Sequence, residues 1–196
     1  KKNINLSLIH NESNGIQLVS HRFEKEKQIL EIKFKKAKYK IYLNLIGKIQ
    51  VKNILMAIIA ANNSGIEFKK ILKILPRITS VEGRLEKIGK IHNNSKVILD
   101  YAHTPAALES ALSNLKEQFP FNKINLIFGC GGDRDFKKRS LMGKIAEKYS
   151  NEIYLTDDNP RNEKPFEIRN EIKKGIKNKR IHEIPDRKKA IQEAVK

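Results

Sequence analysis

Acidic side chains are scarce in this sequence: 22 Asp and Glu stand against 40 Lys and Arg, a formal net charge of +18 over 196 residues. Tryptophan is absent and Cys130 is the only cysteine. A lone cysteine excludes an internal disulfide framework and goes with a reducing compartment. Nor do His10, His21, His92, His103 and His182 pair with cysteine at zinc-ligand spacing, so no metal site is expected. No apolar run approaches the roughly 20 residues of a membrane-spanning helix, and no signal peptide is visible. The chain begins Lys1-Lys2-Asn3, without Met, and reads as a fragment or a processed product.

What is present suffices for a core. Hydrophobic residues make up 39% of the chain, and Ile, Leu and Val recur in periodic runs, which excludes intrinsic disorder. The length fits one domain or two small ones. The positive balance raises a basic nucleic-acid-binding module as one function class. Yet residues 1–80 hold 16 basic and 5 acidic side chains, residues 81–196 hold 24 and 17, and neither part has a long unbroken basic block. Charge is therefore read first as lysine-rich composition.

Period-two alternation in Leu6–Leu8, Ile16–Val19, Ile29–Phe34 and Lys40–Leu45 predicts a small antiparallel meander, with Asn14-Gly15 as a turn. Residues 50–63 switch to helical spacing that Gly65 ends, and a short helix over Phe68–Leu75 stops at Pro76. Residues 76–83 are the candidate domain boundary. Beyond it, strands at Lys96–Leu99, Ile124–Phe128 and Ile153–Thr156 alternate with helices. These are expected at Pro105–Gln118, Leu141–Tyr149, Pro165–Lys174 and Asp186–Val195. That alternation predicts an α/β fold with a doubly wound parallel sheet.

Ligands of such sheets bind at the C-terminal ends of strands. Three polar clusters occupy those places. In Asp100-Tyr101-Ala102-His103-Thr104-Pro105, the Asp can accept ribose hydroxyls and the His can meet phosphate; a helix-capping loop with a surface His fits the spacing equally well. In Gly129-Cys130-Gly131-Gly132-Asp133-Arg134-Asp135, three glycines let backbone N–H groups approach an anion, and Arg134 can fork a carboxylate. This is neither a Walker A loop nor a G-x-G-x-x-G loop, and Cys130 reads as a packed thiol. In Thr156-Asp157-Asp158-Asn159-Pro160-Arg161, amide and guanidinium suit a zwitterionic amino acid, although a turn with a solvated Arg would look the same.

In order and spacing these clusters resemble the Mur ligases, specifically their diaminopimelate-adding branch. Gly47-Lys48-Ile49-Gln50-Val51-Lys52-Asn53 and Gly83-Arg84-Leu85-Glu86 agree with two further family segments, so the resemblance runs from about Leu45 to Arg169. It implies that residues 1–80 are the C-terminal part of the family's central, ATP-binding domain. Residues 81–196 would be most of its Rossmann-like, amino-acid-binding C-terminal domain. It further implies a cytoplasmic, monomeric enzyme of peptidoglycan precursor synthesis with no nucleic-acid or membrane partner. Such an enzyme uses ATP and Mg²⁺ to join meso-diaminopimelate to UDP-MurNAc-L-Ala-D-Glu through an acyl phosphate. Lysine and lanthionine are the alternative diamino acids.

Carried over by motif, Asn53, Arg84, Asp100 and His103 would meet the nucleotide. Arg134, Asp158, Asn159, Pro160 and Arg161 would hold the diamino acid, whose second carboxylate suits an Arg where lysine's ammonium would be repelled. Gln50 departs from the Asn or His usual at its position. The family's UDP-binding domain, its Gly-Lys-Ser/Thr loop, its carbamylated lysine and its Gly-Lys-Gly-His-Glu segment are not in the sequence. No catalytic residue is therefore expected within these residues, and the isolated chain is expected not to turn over ATP.

Overall fold

The computed structural model describes residues 7–8, 15–91, 94–177 and 181–196. The turn expected at Asn14-Gly15, and residues His10 and His92, fall wholly or partly outside them. Two compact units divide the chain, Lys1–Lys87 and Ile88–Lys196.

The first unit is an antiparallel sheet backed by helices. Strands β1 (Ser7–Leu8), β2 (Ile16–Glu24), β3 (Lys27–Phe34) and β4 (Ala37–Leu43) pair in chain order. Their inward side chains, among them Leu30, Ile32, Ile41 and Leu43, meet Val51, Ile54, Leu55 and Ile58 of α1 (Ile49–Asn63). The period of two from the strands and the 3–4 spacing of the helix thus converge on one core. Helix α2 (Phe68–Ile74) adds Phe68, whose ring stacks on Phe34 at a centroid separation of 3.9 Å. Two-residue turns join β2 to β3 at Lys25-Glu26 and β3 to β4 at Lys35-Lys36. Lys25 and Lys35 both take φ near 55°, the left-handed conformation such tight turns require. A bulge at Val19, between the Leu18–Ile32 and Ser20–Glu31 pairs, ends the regular alternation of β2 and leaves Val19 exposed.

One buried polar side chain fixes the approach to α1. The Gln28 amide donates to the carbonyls of Leu45 (2.8 Å) and Gly47 (3.0 Å), and its oxygen lies 2.8 Å from His21 Nε2. Both polar atoms of this wholly buried side chain are engaged, as burial demands.

In the second unit, β5 (Glu86–Lys90), which begins at the division, pairs with β6 (Lys96–Leu99). A parallel three-stranded sheet follows, β7 (Asn125–Phe128), β8 (Glu152–Leu155) and β9 (Ile181–Glu183), in that order. Helices α3 (Pro105–Gln118), α4 (Lys137–Tyr149), α5 (Pro165–Lys173) and α6 (Arg187–Ala194) alternate with the strands. The result is the mixed α/β fold expected from the sequence. Thr104 caps α3 through Oγ1, which accepts from the Ala107 N–H at 3.2 Å, and Asp186 caps α6 through the Lys189 N–H. Leu108, Leu112, Phe128, Met142, Ile153, Leu155, Ile168 and Ile172 form the core. The ends of β7 and β8 are in register, Phe128 opposite Leu155, so the loops that follow them emerge together.

Candidate functional site

The Gly129–Asp135 loop leaves β7 and the Thr156–Arg161 loop leaves β8, and the two lie in direct backbone contact. Thr156 N–H donates to the Phe128 carbonyl (3.0 Å) and Gly132 N–H to the Asn159 carbonyl (2.9 Å). A Cβ on Gly129 would run into the carbonyl oxygen of Thr156, and one on Gly132 into that of Pro160. Glycine at these places is thus demanded by the neighbouring loop.

Side chains tighten the junction. Arg161 Nη1 donates to the Gly132 carbonyl at 2.6 Å. The Asp133 carboxylate accepts from Asn162 Nδ2 at 2.8 Å, and the Asp133 N–H donates to Glu163. Asp133 and Arg161 both hold φ of 50°, costing about 1–3 kcal/mol each for residues with a Cβ. The cross-loop bonds hold that strain in place. Arg134 is exposed and makes no hydrogen bond or ion pair among the described residues.

The sequence-predicted amino-acid residues therefore come together on two joined loops. Asp158 is exposed and accepts the Asn159 N–H at 2.7 Å. The Asn159 side-chain oxygen accepts the Arg161 N–H, and the Pro160 carbonyl the Glu163 N–H. Asp157 plays a different part from its neighbour. Its carboxylate pairs with the buried Arg169, which also binds Glu183 at 2.8 Å. The Asp157 carbonyl accepts from Arg187 of α6.

Of the nucleotide candidates, Asp100 and His103 lie in the loop after β6. His103 Nδ1 is 3.1 Å from the Tyr101 carbonyl, and the His103 carbonyl accepts from Lys138 Nζ. Asn53 and Arg84 belong to the first unit. There Gln50, at the odd position, donates to the Arg84 carbonyl (3.2 Å) while its oxygen accepts from Asn53 (3.2 Å). The departure at Gln50 thus links two of the predicted residues. No group of three His, Cys, Asp or Glu able to hold a metal occurs among the described residues. No helix is long and apolar enough to cross a membrane among them either.

Sequence reasoning missed Arg139. It is 1% exposed, the most buried charged side chain of the described core. Its guanidinium grips Glu163 with two bonds of 2.7 Å, takes Glu171 at 2.8 Å and donates to the Gly131 carbonyl at 3.2 Å. The guanidinium beside it holds the Glu163 carboxyl down at about 2. The Arg139 guanidinium is pushed above its ordinary value by the hydrogen bonds to Glu163, against the cost of burial. The signal was its phase: Arg139 shares a helix face with Met142, Gly143 and Ala146, all buried. Cys130 is buried with its Sγ 3.7 Å from Met142 Sδ, and burial pushes the thiol up to about 11.

Comparison with known proteins gives a family match, a curated relative and two solved structures. The family model for the Mur ligase, glutamate ligase domain, matches residues 83–196. The UDP-N-acetylmuramoyl-L-alanyl-D-glutamate–2,6-diaminopimelate ligase of Rickettsia felis is 44% identical over 150 residues, covering 76% of this chain and 28% of the relative. A solved structure of a UDP-N-acetylmuramoyl-L-alanyl-D-glutamate–2,6-diaminopimelate ligase superposes with a TM-score of 0.65 at 33% identity, over 89% of this chain and 36% of that one. The fold, though not the sequence, is shared with Mycobacterium tuberculosis folylpolyglutamate synthase complexed with ADP, at a TM-score of 0.70 and 19% identity over 91% of this chain and 40% of that one. The chain spans about a third of the length of the curated relatives it matches.

Proposed function

The chain belongs to the Mur ligase family, and from that premise we propose that it forms part of an ATP-dependent ligase joining meso-diaminopimelate to UDP-MurNAc-L-Ala-D-Glu in the cytoplasm. Residues 1–80 would be the end of the ATP-binding domain and residues 81–196 the amino-acid-binding domain. The observation that carries the reading is the junction of the two strand-end loops, which presents Arg134 and Arg161 from one bonded unit.

The chemistry follows from charge. Meso-diaminopimelate has a carboxylate at each end, and a guanidinium offers each a planar fork. Arg161 spends one N–H on Gly132 and keeps the others for an anion. Lysine would bring an ammonium to the same place and be repelled. Arg134, Asp158, Asn159, Pro160 and Arg161 are assigned to the diamino acid. Asn53, Arg84, Asp100 and His103 are assigned to the nucleotide: an amide suits the base, a guanidinium a phosphate, and a carboxylate the ribose hydroxyls. ATP supplies the phosphoryl group that turns the acceptor carboxylate into an electrophile. This chain's residues hold the attacking amine in line by binding the far end of its molecule, an orientational contribution. No residue here is assigned to Mg²⁺.

The test is phosphate release by the full-length enzyme with competing diamino acids. Meso-diaminopimelate is expected to be used in preference to lysine. Arg161→Ala is expected to raise its KM roughly tenfold or more, from the ~1.5–3 kcal/mol of a charge-assisted hydrogen bond. Preference for lysine would overturn the assignment.

A further inference from the structure

The loop that carries Arg134 is tied by one carboxylate to the segment that continues the Arg161 loop. Glu163, two residues beyond Arg161, accepts the backbone N–H of Asp133, the residue before Arg134. The same carboxylate is gripped bidentately by Arg139 (both bonds 2.7 Å), and Arg139 also donates to the Gly131 carbonyl of the first loop (3.2 Å). We infer that the Arg139–Glu163 pair is a positioning device for amino-acid selection: it sets the spacing between the Arg134 and Arg161 loops and so the distance between the two carboxylates the site accepts. This rests on the amino-acid-site reading above.

Three observations support it. First, the contact is built, not adventitious. Arg139 is buried at the start of α4, with one guanidinium group joined to a loop carbonyl and two carboxylates. Second, the pair holds Asp133 by its N–H, at φ of 50°, and Arg161, also at φ of 50°, stands two residues before Glu163; strained backbone needs surroundings that over-determine it. Third, the second partner separates support from stability. Glu171 on α5 binds Arg139 at 2.8 Å but makes no hydrogen bond or ion pair with either loop among the described residues. It stabilises the arginine without adjusting the site.

The experiment compares Glu163→Gln, Arg139→Lys and Glu171→Gln in the full-length ligase, measuring KM for meso-diaminopimelate, KM for ATP, kcat and the melting temperature. KM does not depend on the fraction of enzyme that is folded, so it separates positioning from simple loss of structure. Glu163→Gln and Arg139→Lys are expected to raise KM for meso-diaminopimelate at least fivefold while KM for ATP stays within twofold. Glu171→Gln is expected to lower the melting temperature with both KM values unchanged. Restoring the carboxylate with Glu163→Asp is expected to recover part of the loss. Unchanged KM for meso-diaminopimelate in Glu163→Gln, or equal rises in both KM values, would overturn the inference. A wild-type enzyme that uses no two-carboxylate diamino acid would instead overturn the functional reading on which it rests.

Discussion

Helix α4 contains Gly143 near its middle, and intrinsic propensity says that alanine there should stabilise the helix by about 1 kcal/mol. The structure predicts the opposite. A Cβ on Gly143 would fall inside the van der Waals distance of the Ile172 carbonyl oxygen, 3.2 Å from Ile176 Cγ1 and 3.3 Å from Gly175 Cα. The nearest group is backbone at the end of α5 and cannot rotate away. Gly175 faces the same gap from the other side: its Cβ would lie 2.8 Å from the Ser140 carbonyl carbon and 2.9 Å from Lys144 N. The two glycines thus allow α4 and the end of α5 to touch along their backbones. Overpacking of this kind costs about 1–3 kcal/mol, and an immovable carbonyl puts it at the upper end. Less the helix gain, Gly143→Ala should lose about 2 kcal/mol, roughly 8 °C or more in the melting temperature of a unit this size. Circular dichroism melts of the protein carrying this chain measure it. Gly89→Ala, whose Cβ would meet nothing within 4 Å, is the control and should stay within about 0.5 kcal/mol. The double variant Gly143→Ala/Gly175→Ala should cost less than the two single changes together, because the first already opens the gap. A melting temperature at or above wild type for Gly143→Ala would refute the reasoning.

Two further outcomes follow from the titrating groups. Burial pushes the Cys130 thiol from 9.0 up to about 11, so at pH 8 its thiolate is roughly a hundredfold rarer than in an ordinary thiol. Native protein should be inert to a disulfide reagent that reacts promptly after denaturation; prompt native labelling would contradict the packing. Glu163, held near 2 against an ordinary 4.5 by Arg139, contributes stability that is complete above about pH 4.5 and is lost as pH falls toward 2. Acid titration should show Glu163→Gln losing less stability than wild type across that window.

The elements that were legible in the sequence carry their cause locally. Helix α3 begins where Thr104-Pro105 says it should, and α1 and its core face follow from spacing alone. The turns at Lys25-Glu26 and Lys35-Lys36 were not legible, because lysine at φ of 55° carries no glycine or asparagine signal. Strand β5 was missed for a related reason. Its sequence, Glu-Lys-Ile-Gly-Lys, shows no buried side chain, and backbone pairing holds it. The first turn of α4 hid behind Lys137-Lys138-Arg139, a run that looks solvated while its third member is buried. For the candidate site, the motifs located both loops but not what joins them. Loop-to-loop hydrogen bonds depend on strand register, which spacing does not encode.

Four arginines of the second unit look alike in sequence and differ in what surrounds them. Arg139 and Arg169 are buried, each neutralised by two carboxylates: Glu163 with Glu171, and Asp157 with Glu183. Removing either would strand its carboxylate partners without a counter-charge, so neither guanidinium is available to meet a ligand directly. Arg161 and Arg134 are exposed and have no carboxylate partner among the described residues. Under the proposed assignment it is these two exposed guanidiniums, carried on joined loops, that would meet the ligand. A diamino acid with a carboxylate at each end would offer both arginines an anionic partner for a planar fork, whereas the far end of lysine has no carboxylate to give.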